Sequence, residues 1–172
     1  MNSLQRPHFS ALPPSILVID HPQKVESLVR SGILSCSVQV QFCLGKKADA
    51  IKIIEQSAPD LIVSSLEYID GNALELVHEM NSKLGAIPSI FITDPEQIEL
   101  QKQVLKVGAF DVVQRPFEMP DLMKKIDRAV RHSRGYGKKT RIESFLEYQK
   151  LTDESKSRGI SVSELIDLLD SA

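Results

Sequence analysis

The sequence predicts an α/β domain with a doubly wound, five-stranded parallel sheet, followed by a C-terminal helical hairpin. Five short apolar runs alternate with segments of helical periodicity between residues 15 and 133. The runs have the length of strands, and several are apolar throughout, which is typical of strands buried on both faces. The residues after 133 are too few for a second full domain.

The first half of the pattern contains three strands and two helices. The run ILVI at 16–19 is apolar throughout and ends at Asp20, as expected for a central strand. The second strand alternates polar and apolar side chains, which places it nearer a sheet edge. The predicted elements, in order, are a strand at 16–19, a helix at about 25–33, a strand at 38–44, a helix at about 48–54 and a strand at 61–63.

The second half repeats this order twice. Gly108 is expected to end the helix between the last two strands. The residue after a helix often adopts a left-handed conformation, which glycine adopts most easily. Pro120 stands in the first turn of the last helix, where its missing N–H has little cost. The predicted elements are a helix at about 73–84, a strand at 90–93, a helix at about 96–107, a strand at 110–113 and a helix at about 122–130.

Polar residues stand at the carboxyl ends of the predicted strands. In doubly wound sheets, ligands bind beyond these ends, at the point where the strand order reverses. The residues to inspect are therefore Asp20-His21, Ser64-Ser65, Thr93-Asp94 and Gln114-Arg115-Pro116.

Composition restricts the class of protein. The 172 residues are 42% hydrophobic and 26% charged, and no apolar run has the length that crosses a bilayer. Residues 1–14 lack an apolar core of signal-peptide length and predict a disordered lead-in, so we expect a cytoplasmic protein with no membrane partner. Cys36 and Cys43 lack metal-ligand spacing and are expected to be reduced thiols.

The segments ILVID, PDLIVSSLEYIDGNALEL, IPSIFIT and GAFDVVQRPFEMPDL occur in this order within residues 15–133. Together they resemble the receiver domain of bacterial two-component response regulators. The resemblance implies the flavodoxin-like strand order 2-1-3-4-5 and a signalling role rather than an enzymatic one. In that family an aspartate at the end of the third strand accepts a phosphoryl group from a phosphohistidine, and acids after the first strand help to hold Mg²⁺.

The resemblance places five residues at the phosphorylation pocket, and their chemistry departs from that of the family. Asp20 matches the first acid, His21 replaces the second, and Ser65 stands at the phosphoacceptor position. Thr93 is retained, whereas Arg115 replaces the lysine that contacts the phosphoryl oxygens. An acyl phosphate requires a carboxylate nucleophile, and Mg²⁺ prefers several hard oxygen ligands. We therefore predict a degenerate, phosphorylation-independent pocket (a pseudo-receiver) with no metal or cofactor.

Two questions about the pocket have alternative answers. Ser65 is either a target for a serine/threonine kinase or a small polar replacement. The pocket either binds a small anion through His21, Thr93 and Arg115, or is closed by a salt bridge between Arg115 and Asp20 that fixes one conformation. We favour the second alternative in each case. By resemblance, the bond between Arg115 and Pro116 is expected to be cis.

A helical hairpin is predicted over 138–172, after a glycine-containing hinge at 134–137. Ser161 and Glu164 form a capping box at the start of its second helix. A hairpin of this size cannot bury its own apolar face, so it docks onto the receiver-like domain or dimerises. The side chains expected at this contact are Phe145, Tyr148, Leu151, Leu165, Ile166 and Leu169.

The string LTDESKSRGISVSELIDLL within this extension also resembles ribbon-helix-helix DNA-binding proteins. In that family a short strand before the two helices pairs with its twin and enters the DNA major groove. The corresponding strand would be about 138–143, with Lys138, Lys139 and Arg141 directed at DNA. Ser161, at the start of the second helix, would then hold a backbone phosphate.

Two hypotheses follow for the function. In the first, the chain is an atypical response regulator that controls transcription through a dimeric DNA-binding tail. Eight basic residues against one acid in 124–141 agree with this role, although they also suit a solvated helix face. In the second, the chain is a protein-binding adaptor. It uses the face formed by the predicted helix at about 96–107, the strand at 110–113 and the helix at about 122–130, and the hairpin only docks or dimerises. Both predict a signalling protein as partner and a homodimer, and only the first adds DNA.

Overall fold

The computed structural model contains the predicted parallel sheet, and it describes residues 13–24, 28, 38–83, 87–135 and 141–172. The strands are β1 (Ser15–Ile19), β2 (Gln39–Cys43), β3 (Leu61–Ser65), β4 (Glu67–Tyr68), β5 (Gly71–Asn72), β6 (Ser89–Thr93) and β7 (Asp111–Gln114). Five of them form one sheet in the order β2-β1-β3-β6-β7, with every neighbouring pair parallel. This is the flavodoxin-like order that the sequence predicts. The short strands β4 and β5 form a separate antiparallel hairpin between β3 and the next helix.

Helices connect the strands and continue beyond the sheet. Within the described ranges they are α1 (Lys47–Ser57), α2 (Ala73–Lys83), α3 (Ile98–Lys106), α4 (Met119–Gly135), α5 (Arg141–Arg158) and α6 (Val162–Asp170). The predicted helix over 25–33 lies almost wholly outside the described residues, except for Leu28, which is buried. None of the described helices is both long enough and apolar enough to span a membrane.

The sheet separates two apolar cores. Successive side chains of a strand point to opposite faces, so Ile16 and Val18 enter one core, and Leu17 and Ile19 enter the other. This burial on both faces explains the continuous apolar run in β1. Helix α4 covers the first core, and helices α1, α2 and α3 contribute to the second.

Two boundaries differ from the sequence prediction, and a third feature agrees with it. Helix α4 continues through Gly135, so the predicted hinge at 134–137 begins inside a helix, and its last two residues lie outside the described part of the chain. Helix α3 begins after a 3-10 turn at Pro95–Gln97 rather than at residue 96. Gly108 has φ +110°, which agrees with the predicted special backbone conformation after α3.

Candidate functional site

The five predicted pocket residues meet at one edge of the sheet. Asp20 and His21 follow β1, Ser65 ends β3, Thr93 ends β6 and Arg115 follows β7. Because these strands are parallel and hydrogen-bonded in register, their carboxyl ends lie side by side. The contacts of the individual side chains decide what this edge can do.

An ion pair between Arg115 and Asp20 occupies the centre of this site at the carboxyl ends of the strands. The Nη2 atom of Arg115 lies 2.8 Å from Oδ2 of Asp20, whose side chain is only 1% exposed. The other oxygen, Oδ1, accepts the backbone N–H of His21 at 2.8 Å. The backbone of Arg115 is fixed as well, since its N–H donates to the carbonyl of Thr93 at 2.8 Å. The predicted salt bridge and the predicted cis bond to Pro116 are both confirmed.

Asp94 and Lys24 extend this ion pair into a row of alternating charges. Oδ1 of Asp94 lies 3.5 Å from Nη1 of Arg115, and its Oδ2 lies 2.9 Å from Nζ of Lys24. The hydrogen bond from Lys24, with the nearby charge of Arg115, lowers the pKa of Asp94. Two cations therefore neutralise two carboxylates. The position of Asp94 after a strand marked it for inspection, but nothing in the sequence indicated Lys24.

The hydroxyl groups of Ser65 and Thr93 are buried and already bonded. Ser65 is 5% exposed, and its Oγ donates to the carbonyls of Glu67 at 3.2 Å and Ile19 at 3.5 Å. Oγ1 of Thr93 donates to Oε1 of Gln101 in α3 at 3.3 Å. A backbone carbonyl accepts a proton in a hydrogen bond but does not remove it, so these contacts provide no base for Ser65. The buried hydroxyl fits a structural replacement better than a kinase target.

The residues of this pocket do not fit Mg²⁺. In the part of the chain that the structure describes, no three His, Cys, Asp or Glu side chains converge as metal ligands would. Both oxygens of Asp20 already accept hydrogen bonds, one of them from the Arg115 cation. Mg²⁺ needs several free oxygen ligands in octahedral geometry, so binding would first require Asp20 to release Arg115.

The β4–β5 hairpin that follows Ser65 is anchored to the body of the domain. Tyr68 of β4 is buried, and its hydroxyl lies 2.6 Å from Oγ of Ser64. Burial raises the pKa of Tyr68, so this phenol stays protonated. At the hairpin's tip, the N–H of Ile69 donates to the carbonyl of Gly45 at 2.7 Å, which ties it to the loop after β2.

Asp70 completes this anchoring by capping a neighbouring helix. Its carboxylate accepts the backbone N–H groups of Lys47 and Ala48, the first residues of α1. These two hydrogen bonds lower the pKa of Asp70. Lys47 also forms an ion pair with Glu75 of α2 at 2.9 Å. The segment after the phosphoacceptor position is thus held on both sides.

The C-terminal hairpin, helices α5 and α6, docks at the other end of β7. Leu151 and Leu165 are buried and pack into the core beneath α4, so their predicted role in docking is confirmed. Ile166 packs against the same core and is partly buried. Leu169 is 50% exposed, so it does not dock on this chain, and its alternative role in a dimer contact stays a prediction. The side chains of Phe145 and Tyr148 lie outside the described residues.

Polar contacts fix the register of the docked hairpin. The N–H of Ser163 donates to the carbonyl of Phe110, immediately before β7, at 3.3 Å. Arg128 of α4 donates to Oγ of Ser163 at 2.6 Å, and its Nε lies 3.3 Å from Oδ1 of Asp167. Sequence reasoning missed the contact between Arg128 and Ser163, because it joins residues far apart in the chain.

The local structure at two of the four predicted DNA contacts differs from the ribbon-helix-helix arrangement. Arg141 begins helix α5, so residues 141–143 do not form the strand that would enter the major groove. Ser161 does form the predicted capping box with Glu164, but the next two residues, Val162 and Ser163, are buried against the domain. The start of α6 thus packs against the chain's own domain, and the phosphate contact of Ser161 stays a prediction. Lys138 and Lys139 lie outside the described residues.

Comparison with known proteins gives one family for most of the chain. The family model "Response regulator receiver domain" matches residues 16–127. The DNA-binding transcriptional regulator NtrC of Proteus hauseri is 24% identical over 99 residues, or 58% of this chain and 21% of that protein. Regulatory protein LuxO of Vibrio vulnificus is 24% identical over 114 residues, or 66% of this chain and 25% of that protein. The chain thus matches no more than a quarter of the length of these relatives.

Solved structures support the same fold. The receiver domain of a putative LuxO repressor from Vibrio parahaemolyticus superposes with a TM-score of 0.64 at 20% identity, covering 71% of this chain and 93% of that one. The receiver domain of an HD domain-containing protein from Pseudomonas fluorescens gives a TM-score of 0.68 at 14% identity, covering 76% and 96%. At these identities the similarity concerns the fold alone.

Proposed function

The chain belongs to the response regulator receiver domain family, and we propose that it is a pseudo-receiver, a cytoplasmic regulator that binds a signalling protein without being phosphorylated. One observation carries this proposal. The carboxylate of Asp20, which matches a Mg²⁺-binding acid of the family, is buried in an ion pair with Arg115. With serine at position 65, the edge offers neither the nucleophile nor the free oxygen ligands of acyl phosphate chemistry.

Phosphorylation independence is tested with acetyl phosphate and Mg²⁺, followed by intact-protein mass spectrometry. We expect no added phosphoryl group on the full chain. The triple variant His21→Asp, Ser65→Asp, Arg115→Lys restores the family's residue types and serves as the gain-of-function comparison. A phosphoryl group on an aspartate of the unmodified chain would contradict the proposal.

Between the two functional hypotheses, the structure favours the adaptor. The hairpin is built into the receiver core through Leu151, Val162 and Leu165, and the N-terminus of α6 is buried. Control of transcription keeps the support of one relative's name, since NtrC is described as a DNA-binding transcriptional regulator. Anisotropy with labelled duplex DNA across a salt series separates the two, because phosphate contacts weaken steeply as salt rises. The variant pair Lys138→Glu and Lys139→Glu should leave an adaptor unaffected and abolish binding by a DNA-binding tail.

Homodimer formation also stays a prediction, and the hairpin offers a surface for it. Leu146 on α5 and Leu168 and Leu169 on α6 are large apolar side chains that are exposed on the single chain. Light scattering coupled to size exclusion measures the mass directly. If these side chains form the contact, Leu168→Glu should convert the dimer to a monomer.

A further inference from the structure

A groove lies between helix α3, the edge strand β7 and the docked hairpin. Its volume is about 690 Å³. Leu105 of α3, Val112 of β7 and Ile160 between α5 and α6 contribute half-buried apolar surface to it. One wall comes from the receiver fold and the other from the extension, so the groove exists only while the hairpin is docked.

Lysine side chains surround this apolar floor. Lys106 and Lys156 are exposed on opposite walls, and neither has an ion-pair partner among the described residues. Lys102, on the same wall as Lys106, forms an ion pair with the exposed Glu99 at 3.1 Å, and such a surface pair contributes little. The groove therefore presents positive charge to a ligand.

The two acids that line the groove are already engaged. Asp111 forms an ion pair with Lys125 at 2.8 Å and also accepts the N–H of Val112. Glu164 accepts the N–H of Ser161 at 2.7 Å in the capping box. With these two carboxylates engaged, the exposed lysines at the rim of the groove favour a ligand with negative side chains.

We infer that this groove binds an acidic amphipathic segment of a protein partner, an inference that rests on the adaptor function proposed above. Apolar side chains of the segment cover Leu105, Val112 and Ile160, and its carboxylates lie over Lys106 and Lys156. The chain's own first twelve residues, MNSLQRPHFSAL, contain no acid and lack this complementarity. The occupant is therefore a segment of another protein.

The test uses fluorescence anisotropy of the full chain with a fluorescein-labelled amphipathic peptide made of glutamate and leucine. The same peptide with glutamine in place of glutamate is the matched ligand control. We expect Lys106→Glu and Lys156→Glu each to weaken binding about fivefold, and the double variant to weaken it about twenty-five-fold, because each reversal changes an attraction into a repulsion. Lys52→Glu, an exposed position on α1 that does not line the groove, should leave the affinity unchanged.

Four results would overturn the inference. Three of them are no peptide binding, equal binding of the glutamine peptide, and equal loss of affinity in Lys52→Glu. Displacement of the peptide by unlabelled duplex DNA at physiological salt would reassign the groove to nucleic acid and would also overturn it. The acetyl phosphate experiment is independent of these results, so a failed groove and a failed pseudo-receiver are distinguishable. Circular dichroism of each variant verifies that the fold is intact.

Discussion

The two ends of the sheet differ in how many of their charged and apolar side chains remain accessible to a partner. At the carboxyl end, Asp20, Asp94, Arg115 and Lys24 neutralise one another, and the buried hydroxyls are bonded to the fold. At the amino end of β7, the C-terminal hairpin adds a new apolar layer and creates a groove rimmed by exposed lysines. The charged groups at the carboxyl end pair with one another. At the hairpin end, lysines and apolar side chains remain exposed and can contact a partner. We infer that recognition occurs at the hairpin end.

The largest expected effect comes from breaking the buried ion pair. Arg115→Ala leaves the Asp20 carboxylate buried without its counter-charge, which should lower the free energy of unfolding by about 3–5 kcal/mol. Urea denaturation measures this loss. Arg131→Ala removes an arginine from the exposed pair with Asp127 and should cost less than about 1 kcal/mol. Equal losses in the two variants would show that the pocket is not fixed by this pair.

The second effect tests docking of the hairpin with two leucines of α6. Leu165→Ala removes a buried side chain and should lower the free energy of unfolding by about 2–4 kcal/mol. Leu169→Ala removes an exposed side chain from the same helix and should change stability by less than about 0.5 kcal/mol. Hydrogen exchange in the Leu165 variant should accelerate first in α5 and α6, since their packing is lost. Similar effects of both substitutions would contradict the docked arrangement.

A third prediction concerns the close approach of the hairpin to Gly108. This residue has φ +110°, and a Cβ added to it would lie 3.0 Å from Cγ2 of Thr152 in α5. Gly108→Ala should therefore cost about 1–3 kcal/mol, from backbone strain and the contact together. Gly159→Ala is the control, because Gly159 also has a positive φ, +69°, but has open space around it. If Gly108→Ala costs no more than Gly159→Ala in thermal unfolding, the hairpin does not approach this closely.

The smallest effect is the pH dependence contributed by Asp94. Its lowered pKa means that its ionised form stabilises the fold above the ordinary carboxyl pKa of about 4, and that this contribution disappears as pH falls through the lowered value. Asp94→Asn should be less stable by no more than about 1 kcal/mol at neutral pH, since Lys24 is partly exposed. The difference from the unmodified chain should vanish in acid. A stability difference that is constant between about pH 2 and pH 7 would exclude this role.

The sequence predicted the fold because each strand of the five-stranded sheet and most helices carry a local pattern. The apolar run at 16–19 and the alternation in 38–44 define β1 and β2 without knowledge of any long-range contact. The Arg115–Asp20 pair was also predictable, since both positions follow strands whose carboxyl ends meet in this fold. Lys24 and the capping of α1 by Asp70 were not, because their contacts depend on loop geometry.

For the C-terminal hairpin, the sequence predicted the helices but not their packing. Its two helices and the Ser161 capping box follow from local pattern, but the surface they face does not. Leu165 and Leu169 are equivalent by residue type, and only the docked geometry buries one and exposes the other. The predicted strand before these helices was wrong at Arg141, where helix α5 begins. A partial motif thus suggested a DNA-binding fold, whereas tertiary packing directs the start of α6 into the chain's own core.

The most direct test of the fixed pocket is an amide nuclear magnetic resonance spectrum of the full chain with Mg²⁺ and beryllofluoride, a mimic of a phosphoryl group on a carboxylate. We predict that the amide resonances of Asp20, Ser65, Thr93 and Arg115 do not shift, and that those of the docked hairpin do not shift either. Shifts at the pocket residues would show that the ion pair opens to accept a phosphoryl group. If shifts also reached α5 and α6, the chain would be a phosphorylation-controlled switch, which would contradict a pocket fixed by the Arg115–Asp20 pair.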